Sequence, residues 1–408
     1  MNILFIGVAA TDKVLKESDE KYNGGKNSIH PQQHFDFKLI EGLAKNEKVK
    51  AISEPPIGSY PKSKCFFYPL KNEKISKNLE IEYIALINLI IVKTFIISFS
   101  IFFKSLKYIK EKKKKNEKTI VILGYISFYT FLPIYILAKF YNLKILVVVP
   151  DIPLYLMNYS KIKNNFKRLI WNFYSKLDKS IEKYYDGYIL LTEYMDRIVN
   201  KRNKPYIVIE GFISSKEIEV FKKKRKKNSK KVIMYAGTLH EKYGIKKLIK
   251  AFKKVKDLEC EFWIFGEGDS LEFVKDEENI DSRIKYKGIK TKEEILELEK
   301  EVSLLINPRP TTEEFTKYSF PSKTLEYMAS GTPLLTTKLL GIPEEYFDYV
   351  YCFESEDIDE MTKRIEKIIK KSRGELEYFG KKAQEFIIKN KMLDQQMKKL
   401  EKFIYNIL

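Results

Sequence analysis

Two separate trains of short apolar runs, each run followed by a helical stretch, constrain this chain more than any other feature. In the first train Ile3–Ile6, Cys65–Tyr68, Thr119–Leu123, Lys144–Val149, Gly187–Leu191 and Tyr206–Ile209 read as strands, with helical patterns such as His34–Lys45 and Tyr129–Phe140 between them. The alternation breaks at Phe212–Lys231, read as an exposed connector ending in the basic run Lys222–Lys231. It restarts with strands at Val232–Ala236, Glu261–Phe265, Arg283–Tyr286, Ser303–Ile306 and Pro333–Thr336 and helices at Ile245–Val255, Lys292–Glu299 and Lys323–Ala329. Continuously apolar strands separated by helices mean a parallel sheet covered on both faces. Two trains therefore predict an α/β chain of two Rossmann-like domains facing an interdomain cleft, with ligands at the carboxyl ends of the strands. The expected boundaries are 1–211, a linker at 212–231, a second domain at 232–391, and a last helix, 392–408, returning to the first. A length of 408 residues suits two cores better than one.

Composition narrows the setting. Hydrophobic residues make up 44%, which excludes a disordered chain. The three cysteines are scattered, odd in number and without zinc-ligand spacing, so a reducing cytoplasm is expected. Met1–Ala10 reads as a buried first strand, not a signal peptide. A formal charge of +20 asks for a polyanionic neighbour: acidic lipid headgroups, phosphorylated substrates or nucleic acid. Ile84–Phe103 is about long enough to span a bilayer, but Lys93 in its middle costs about 2.5–3.5 kcal/mol on an insertion scale. A span would also place the strands at Cys65 and Thr119 on opposite sides of the membrane. A helix resting on an anionic membrane surface is the expectation, with Leu154–Leu177 as a second segment suited to acidic headgroups.

The chemistry concentrates at Ile306–Pro343, INPRPTTEEFTKYSFPSKTLEYMASGTPLLTTKLLGIP. A strand ends at Asn307-Pro308, a polar loop follows, and a helix opens near Ser322. Unpaired N–H groups and the helix dipole make that end a phosphate cradle, to which Lys323 adds a full charge. Glu326, one turn on, can accept two protons from a ribose diol. This segment resembles the donor signature of the family-4 retaining glycosyltransferases, which have the GT-B fold. PSK-TLEYMASG-TP looks like the subgroup that builds bacterial capsule, exopolysaccharide or lipopolysaccharide. The family's motif has two glutamates eight positions apart; Glu326 matches the second, the ribose-binding one, and Tyr318 stands in place of the first.

That resemblance assigns further positions. Tyr235–Leu239 followed by Lys242-Tyr-Gly244 is similar to the strand and glycine loop that hold the donor diphosphate. Lys242 fills the family's lysine role, Thr238 stands where its arginine belongs, and Arg309 on the neighbouring loop is expected to supply the guanidinium. Gly266 and Gly268, after Trp263–Phe265, would let the backbone approach the nucleotide. In the first half, Asn23-Gly-Gly-Lys26 is similar to the glycine loop that meets the donor phosphates, with Gly25 as the contact. His34 and Asp36 lie just beyond it on a presumptive helix, with a solvent-facing position for either as the plain alternative. Asp151, ending a buried strand, resembles the residue that retaining members point at the acceptor. Glu193 and Glu210 are taken as structural, and the pair Asp357 and Asp359 as a helix cap, not a metal site.

The function so implied is transfer of a hexose-type sugar from a nucleotide diphosphate sugar, UDP-linked by resemblance, to a lipid-linked or polysaccharide acceptor at the inner face of the plasma membrane. Lys323, Lys242, Arg309 and the helix end would stabilise the leaving group, with no cofactor and no metal. Two rivals are weighed. A nucleotide-sugar epimerase on the same fold needs more acidic and His groups than the three histidines allow. A nucleic-acid-binding protein would interleave basic and exposed aromatic residues along one groove, whereas these basic runs flank an apolar helix, so no nucleic-acid partner is expected.

Overall fold

A computed structural model describes residues 1–22, 31–61, 63–152, 165–223 and 230–408. The chain divides into two compact units, one of Met1–Ile209 with Met397–Leu408, the other of Glu210–Gln396.

The first unit contains β1 (Asn2–Gly7), β2 (Lys48–Ser53), β3 (Phe67–Tyr68), β4 (Lys71–Lys74), β5 (Leu79–Tyr83), β6 (Leu86–Ile87), β7 (Thr119–Leu123), β8 (Lys144–Val149), β9 (Gly187–Leu190) and β10 (Tyr206–Val208). Among the described residues, eight of these form one sheet in the order β10-β9-β8-β7-β1-β2-β5-β4. Every neighbouring pair is parallel except the edge pair of β4 with β5. Ile3, Leu4 and Phe5 of β1 and Ile120–Leu123 of β7 are wholly buried. That is why these strands read as unbroken apolar runs.

The expected sheet strand at Cys65–Tyr68 is not one. Only Phe67–Tyr68 is extended there, and it pairs antiparallel with β6 as a separate ribbon. The sheet positions belong instead to β2 and β5, whose charged residues mask them. Leu79, Ile81 and Tyr83 are buried, while Glu80 and Glu82 pair with Lys50 at 2.7 and 3.0 Å.

β5 and β7 lie in the same sheet, and the helix Ile90–Lys114 runs between them in sequence. No helix among the described residues is long and apolar enough to cross a membrane. The helix nonetheless exposes Phe95, Phe99 and Phe103, each at about 60% of full accessibility. Their spacing of four puts them on one face. The helix Phe128–Tyr141 packs beside it and exposes Leu132, Ile136 and Phe140 at the same spacing. Of the second segment expected at acidic headgroups, residues 154–164 lie outside the described residues.

The second unit holds a six-stranded parallel sheet in the order β13-β12-β11-β14-β15-β16. Its strands are β11 (Val232–Ala236), β12 (Glu261–Phe265), β13 (Ile284–Tyr286), β14 (Leu304–Asn307), β15 (Leu334–Thr337) and β16 (Tyr351–Phe353). The start of the expected connector is not exposed. Ser214 and Glu217 form a capping box for the helix Ser215–Lys222, and Phe212, Ile213, Ile218 and Phe221 are buried. The helix Leu393–Ile407 follows; its Asn46–Glu401 contact at 3.0 Å and buried Leu400 and Ile404 belong to the first unit.

Candidate functional site

In the second unit, all six strands point their carboxyl ends at one edge, and three loops there carry the sequence-predicted residues. The loop after β11 turns through Gly237–Gly244. It is tied to the loop after β12 by Gly237 N–H to Phe265 O at 3.1 Å and Leu239 N–H to Glu267 O at 2.8 Å. Glycine is obligatory at two points. Gly244 has φ +85°, and a Cβ there would lie 2.1 Å from the Pro308 carbonyl oxygen; Gly266 has φ +120°, and a Cβ would lie 1.9 Å from the Gly237 oxygen. These approaches press the loops after β11, β12 and β14 together, and they explain Gly266 by packing.

The close contact at Pro308 brings the cations together. The Arg309 guanidinium lies 4.8 Å from the Tyr243 ring centre, and the Lys242 ammonium lies 5.2 Å from the same ring and 5.3 Å from Phe315. Cations over ring faces are attracted by the aromatic quadrupole, so Tyr243 and Phe315 hold two positive groups near one another. Burial pushes the Tyr235 hydroxyl up to about 12, and the charges of Arg309 and Lys323 pull against that.

The helix Ser322–Ala329 begins at Pro321 with no side-chain cap. Ser322 is exposed, and Tyr318 is half-buried, ending a short 3-10 turn at Glu314–Lys317 with its N–H on Phe315 O at 3.0 Å. Tyr327 anchors the helix: its hydroxyl accepts from Ala236 N–H at 2.9 Å and donates to Ala236 O at 3.1 Å. Lys323 reaches Glu326 and, at 3.3 Å, Glu299.

Glu299 is wholly buried and escaped the sequence reading. Burial, then the neighbouring Glu326 carboxylate, push its carboxyl well above the usual range. Burial alone would raise Glu326 too. The charge of Lys323 and the hydrogen bond from Glu299 outweigh it and hold Glu326 below the usual carboxylate range. Lys323 in turn is held above the usual lysine range against burial, by Glu326 first. A signal for Glu299 existed: it shares the inward face of the helix Lys292–Glu299 with Ile295 and Leu296.

Thus Lys242, Arg309, Ser322, Lys323 and Glu326 share the carboxyl edge of one sheet, with Gly266 and Tyr318 on the loops around them. A lysine one-third exposed, backed by Glu326, can meet an anion without leaving an uncompensated buried charge. Asp357 accepts from the N–H groups of Asp359 and Glu360 and caps the helix Ile358–Ile369. Glu210 makes a buried ion pair with Lys391 at 2.8 Å, and Glu193 accepts from the Tyr206 hydroxyl.

In the first unit, Asp151 is exposed just after β8. Gly25 lies outside the described residues. His34 is half-exposed, with Nδ1 3.4 Å from Asp12. Asp36 does not face solvent and is completely buried. Its Oδ2 accepts the Val8 N–H at 3.1 Å, and a Cβ on either Gly7 or Gly124 would come within 2.7 Å of that oxygen. Two glycines at paired strand ends leave the room its carboxyl occupies.

Residues 216–386 match the family model described as glycosyl transferases group 1. Comparison with curated proteins gave no significant match. Among solved structures, the chain resembles sucrose-phosphate synthase from Thermosynechococcus elongatus at 14% identity and TM-score 0.67, covering 100% of both chains. It resembles Anabaena HepE, solved in complex with UDP, at 11% identity and TM-score 0.61, covering 98% of this chain and 100% of that one. The lipopolysaccharide outer core galactosyltransferase WaaB is similar at 14% identity and TM-score 0.57, with both chains covered in full. The chain thus has the GT-B fold of two Rossmann-like units, and its residues 216–386 carry the match to glycosyl transferases group 1.

Proposed function

We propose that this protein is a retaining glycosyltransferase that moves a hexose-type sugar from UDP onto a lipid-linked or growing polysaccharide acceptor. One observation carries the reading: Lys323, paired with Glu326 and with the buried Glu299, stands at the uncapped amino end of the helix Ser322–Ala329, on the same edge as Arg309 and Lys242. As the bond from the anomeric carbon to the diphosphate breaks, negative charge grows on the departing oxygen. Fixed positive groups aimed there are worth most in the transition state. Glu326 has an oxygen for the ribose hydroxyls, and Tyr318 lies on the loop where the donor sugar would sit. The acceptor oxygen bonds to the anomeric carbon on the face the phosphate leaves, and its proton passes to the leaving phosphate oxygen. Asp151 contacts the acceptor hydroxyl in this scheme, and the phosphate charge is met by protein cations without a metal.

The resemblance to HepE, solved with UDP, supports the choice of base, and the resemblance to WaaB supports a cell-surface glycan such as lipopolysaccharide or capsule. The exposed phenylalanines of the helix Ile90–Lys114, followed in that helix by Lys104, Lys107 and Lys110, support a peripheral position on the anionic inner face of the plasma membrane.

The test is ligand-induced melting with UDP, GDP and ADP. A nucleotide at about one hundred times its dissociation constant stabilises by about 2.7 kcal/mol. UDP should raise the melting temperature of the wild type and leave Lys323→Ala unmoved. An equal UDP response in Lys323→Ala removes the site assignment.

A further inference from the structure

One titratable side chain on the turn after β11 takes no part in the proposed chemistry. His240 follows Leu239, whose N–H donates to Glu267 O, and precedes the short 3-10 turn Glu241–Tyr243. That position sets its ring against two neighbours. Its Nδ1 is shut off from solvent and lies 3.0 Å from Oδ2 of Asp269, in the loop after β12, a charge contact outside hydrogen-bond geometry. Its ring centre lies 5.8 Å from that of Tyr243. Asp269 is itself fixed: Oδ1 accepts the Glu241 N–H and the Ser270 hydroxyl, each at 3.1 Å. The carboxylate is therefore fastened to the same turn as the imidazole it meets.

Tyr243 joins His240 to the cations of the donor edge. The Arg309 guanidinium lies 4.8 Å and the Lys242 ammonium 5.2 Å from the ring that His240 flanks. Arginine and lysine ordinarily keep their charge at neutral pH, whereas an imidazole ordinarily titrates near about pH 6.5. The His240 side chain is 38% accessible, so a ligand can reach it. A carboxylate beside Nδ1 favours a proton on that nitrogen in both forms, so the proton taken up in acid is the one on Nε2. With it, Nε2–H is a charged donor; without it, Nε2 presents a lone pair that repels a phosphate oxygen. The surrounding charges leave this open to a ligand. Glu241 is engaged by Lys246 at 2.8 Å, and Glu267 is exposed. Asp269 favours a positive imidazole, while Lys242 and Arg309 oppose one, so the negative charge of an arriving diphosphate tips the balance.

From this juxtaposition we infer that His240 is a further anion-binding group of the donor site, that its charged form contacts the donor diphosphate, and that donor affinity therefore rises as pH falls. The inference rests on the transferase reading. It adds a regulation of the same site: UDP is held more tightly in mild acid and released more readily as pH rises.

The experiment is calorimetric titration of the full chain with UDP at about pH 5.5 and about pH 8, in wild type, His240→Asn and His240→Lys. The asparagine stays neutral, and the lysine carries charge at both pH values. The ionisation of UDP itself, and of groups elsewhere in the chain, cancels in the ratio of wild type to variant. Wild type should bind UDP about fivefold more tightly than His240→Asn at the acid pH and equally at the higher one, a half-exposed charge pair giving a difference of about this size. His240→Lys should match wild type in acid and exceed it about fivefold at the higher pH. A ratio of wild type to His240→Asn that is the same at both pH values would overturn the inference, because a merely structural role for the ring does not follow its charge. So would a His240→Lys variant that binds no more tightly than His240→Asn at the higher pH. UDP binding by the wild type keeps the two readings apart. If UDP fails to bind at either pH, the transferase reading falls and this inference with it; if UDP binds with an unchanging ratio, only the role of His240 falls.

Discussion

Replacing Asp36 by asparagine should stabilise the first unit, and by an amount that depends on pH. The carboxyl has no exposed surface, its Oδ1 has no hydrogen-bond partner among the described residues, and burial pushes its pKa up to about 8 against the one opposing hydrogen bond from Val8. In the unfolded chain the group titrates near 3.9. At neutral pH folding must therefore place a proton on it, which costs up to about 4 kcal/mol at about 1.36 kcal/mol per pH unit. The folded pKa lies above the unfolded one, so the folded state binds the extra proton between about pH 4 and pH 8. Stability is fully present below the unfolded pKa, declines as pH rises through that window, and levels off above the folded pKa. The asparagine amide would keep the acceptor for the Val8 N–H and present a neutral N–H donor where the acid presents O–H, so Asp36→Asn removes the titration and little else. Native-state hydrogen exchange of the β1 and β7 amides, followed from about pH 4.5 to pH 8.5, reads this unit alone. The expected result is near-identical protection of wild type and Asp36→Asn at the acid end, with the variant ahead by about 4 kcal/mol at pH 7 and by about 5 kcal/mol once pH passes the folded pKa. A variant that is less stable at pH 7, or a difference that does not change with pH, would refute the assignment of a buried neutral acid.

Three further outcomes are expected. Glu299→Gln should keep the UDP response, because burial already holds the acid it replaces well above the usual carboxylate range and the amide keeps an acceptor for Lys323; loss of the UDP shift in urea-stable protein would contradict this. Gly244→Ala should cost about 1–3 kcal/mol in urea unfolding from the left-handed φ alone, and it should weaken UDP binding because Pro308, and with it Arg309, must move; unchanged UDP affinity would separate Arg309 from the donor site. Substituting Phe95, Phe99 and Phe103 by serine should leave the melting temperature unchanged, since these side chains are about 60% exposed. It should also abolish cosedimentation with vesicles containing one-third phosphatidylglycerol; retained binding would rule out this helix face as the membrane contact.

Most of the fold was legible from local chemistry. Strands buried on both faces, such as Thr119–Leu123 and Val232–Ala236, announce themselves because nearly every position must be apolar. The helix opening at Ser322 could be read for a related reason: Pro321 sets its start, and the lysine and glutamate three apart belong to adjacent turns. Strands near the sheet edge could not be read, because β2 and β5 trade apolar residues for Lys50, Glu80 and Glu82 on the open side. The helix Ser215–Lys222 was hidden by the lysine run after it, although its capping box and the spacing of Ile218 and Phe221 were present.

Residue types, spacing and charge sufficed to say that this chain folds as two parallel-sheet units and that the loop after Asn307 leads into an anion-ready helix. Which acids gather around Lys323 was decided only in three dimensions. Glu299 lies 24 positions before Lys323 and 27 before Glu326. No periodicity links them. They meet because helix packing carries them to one strand edge, where burial then shifts their ionisation.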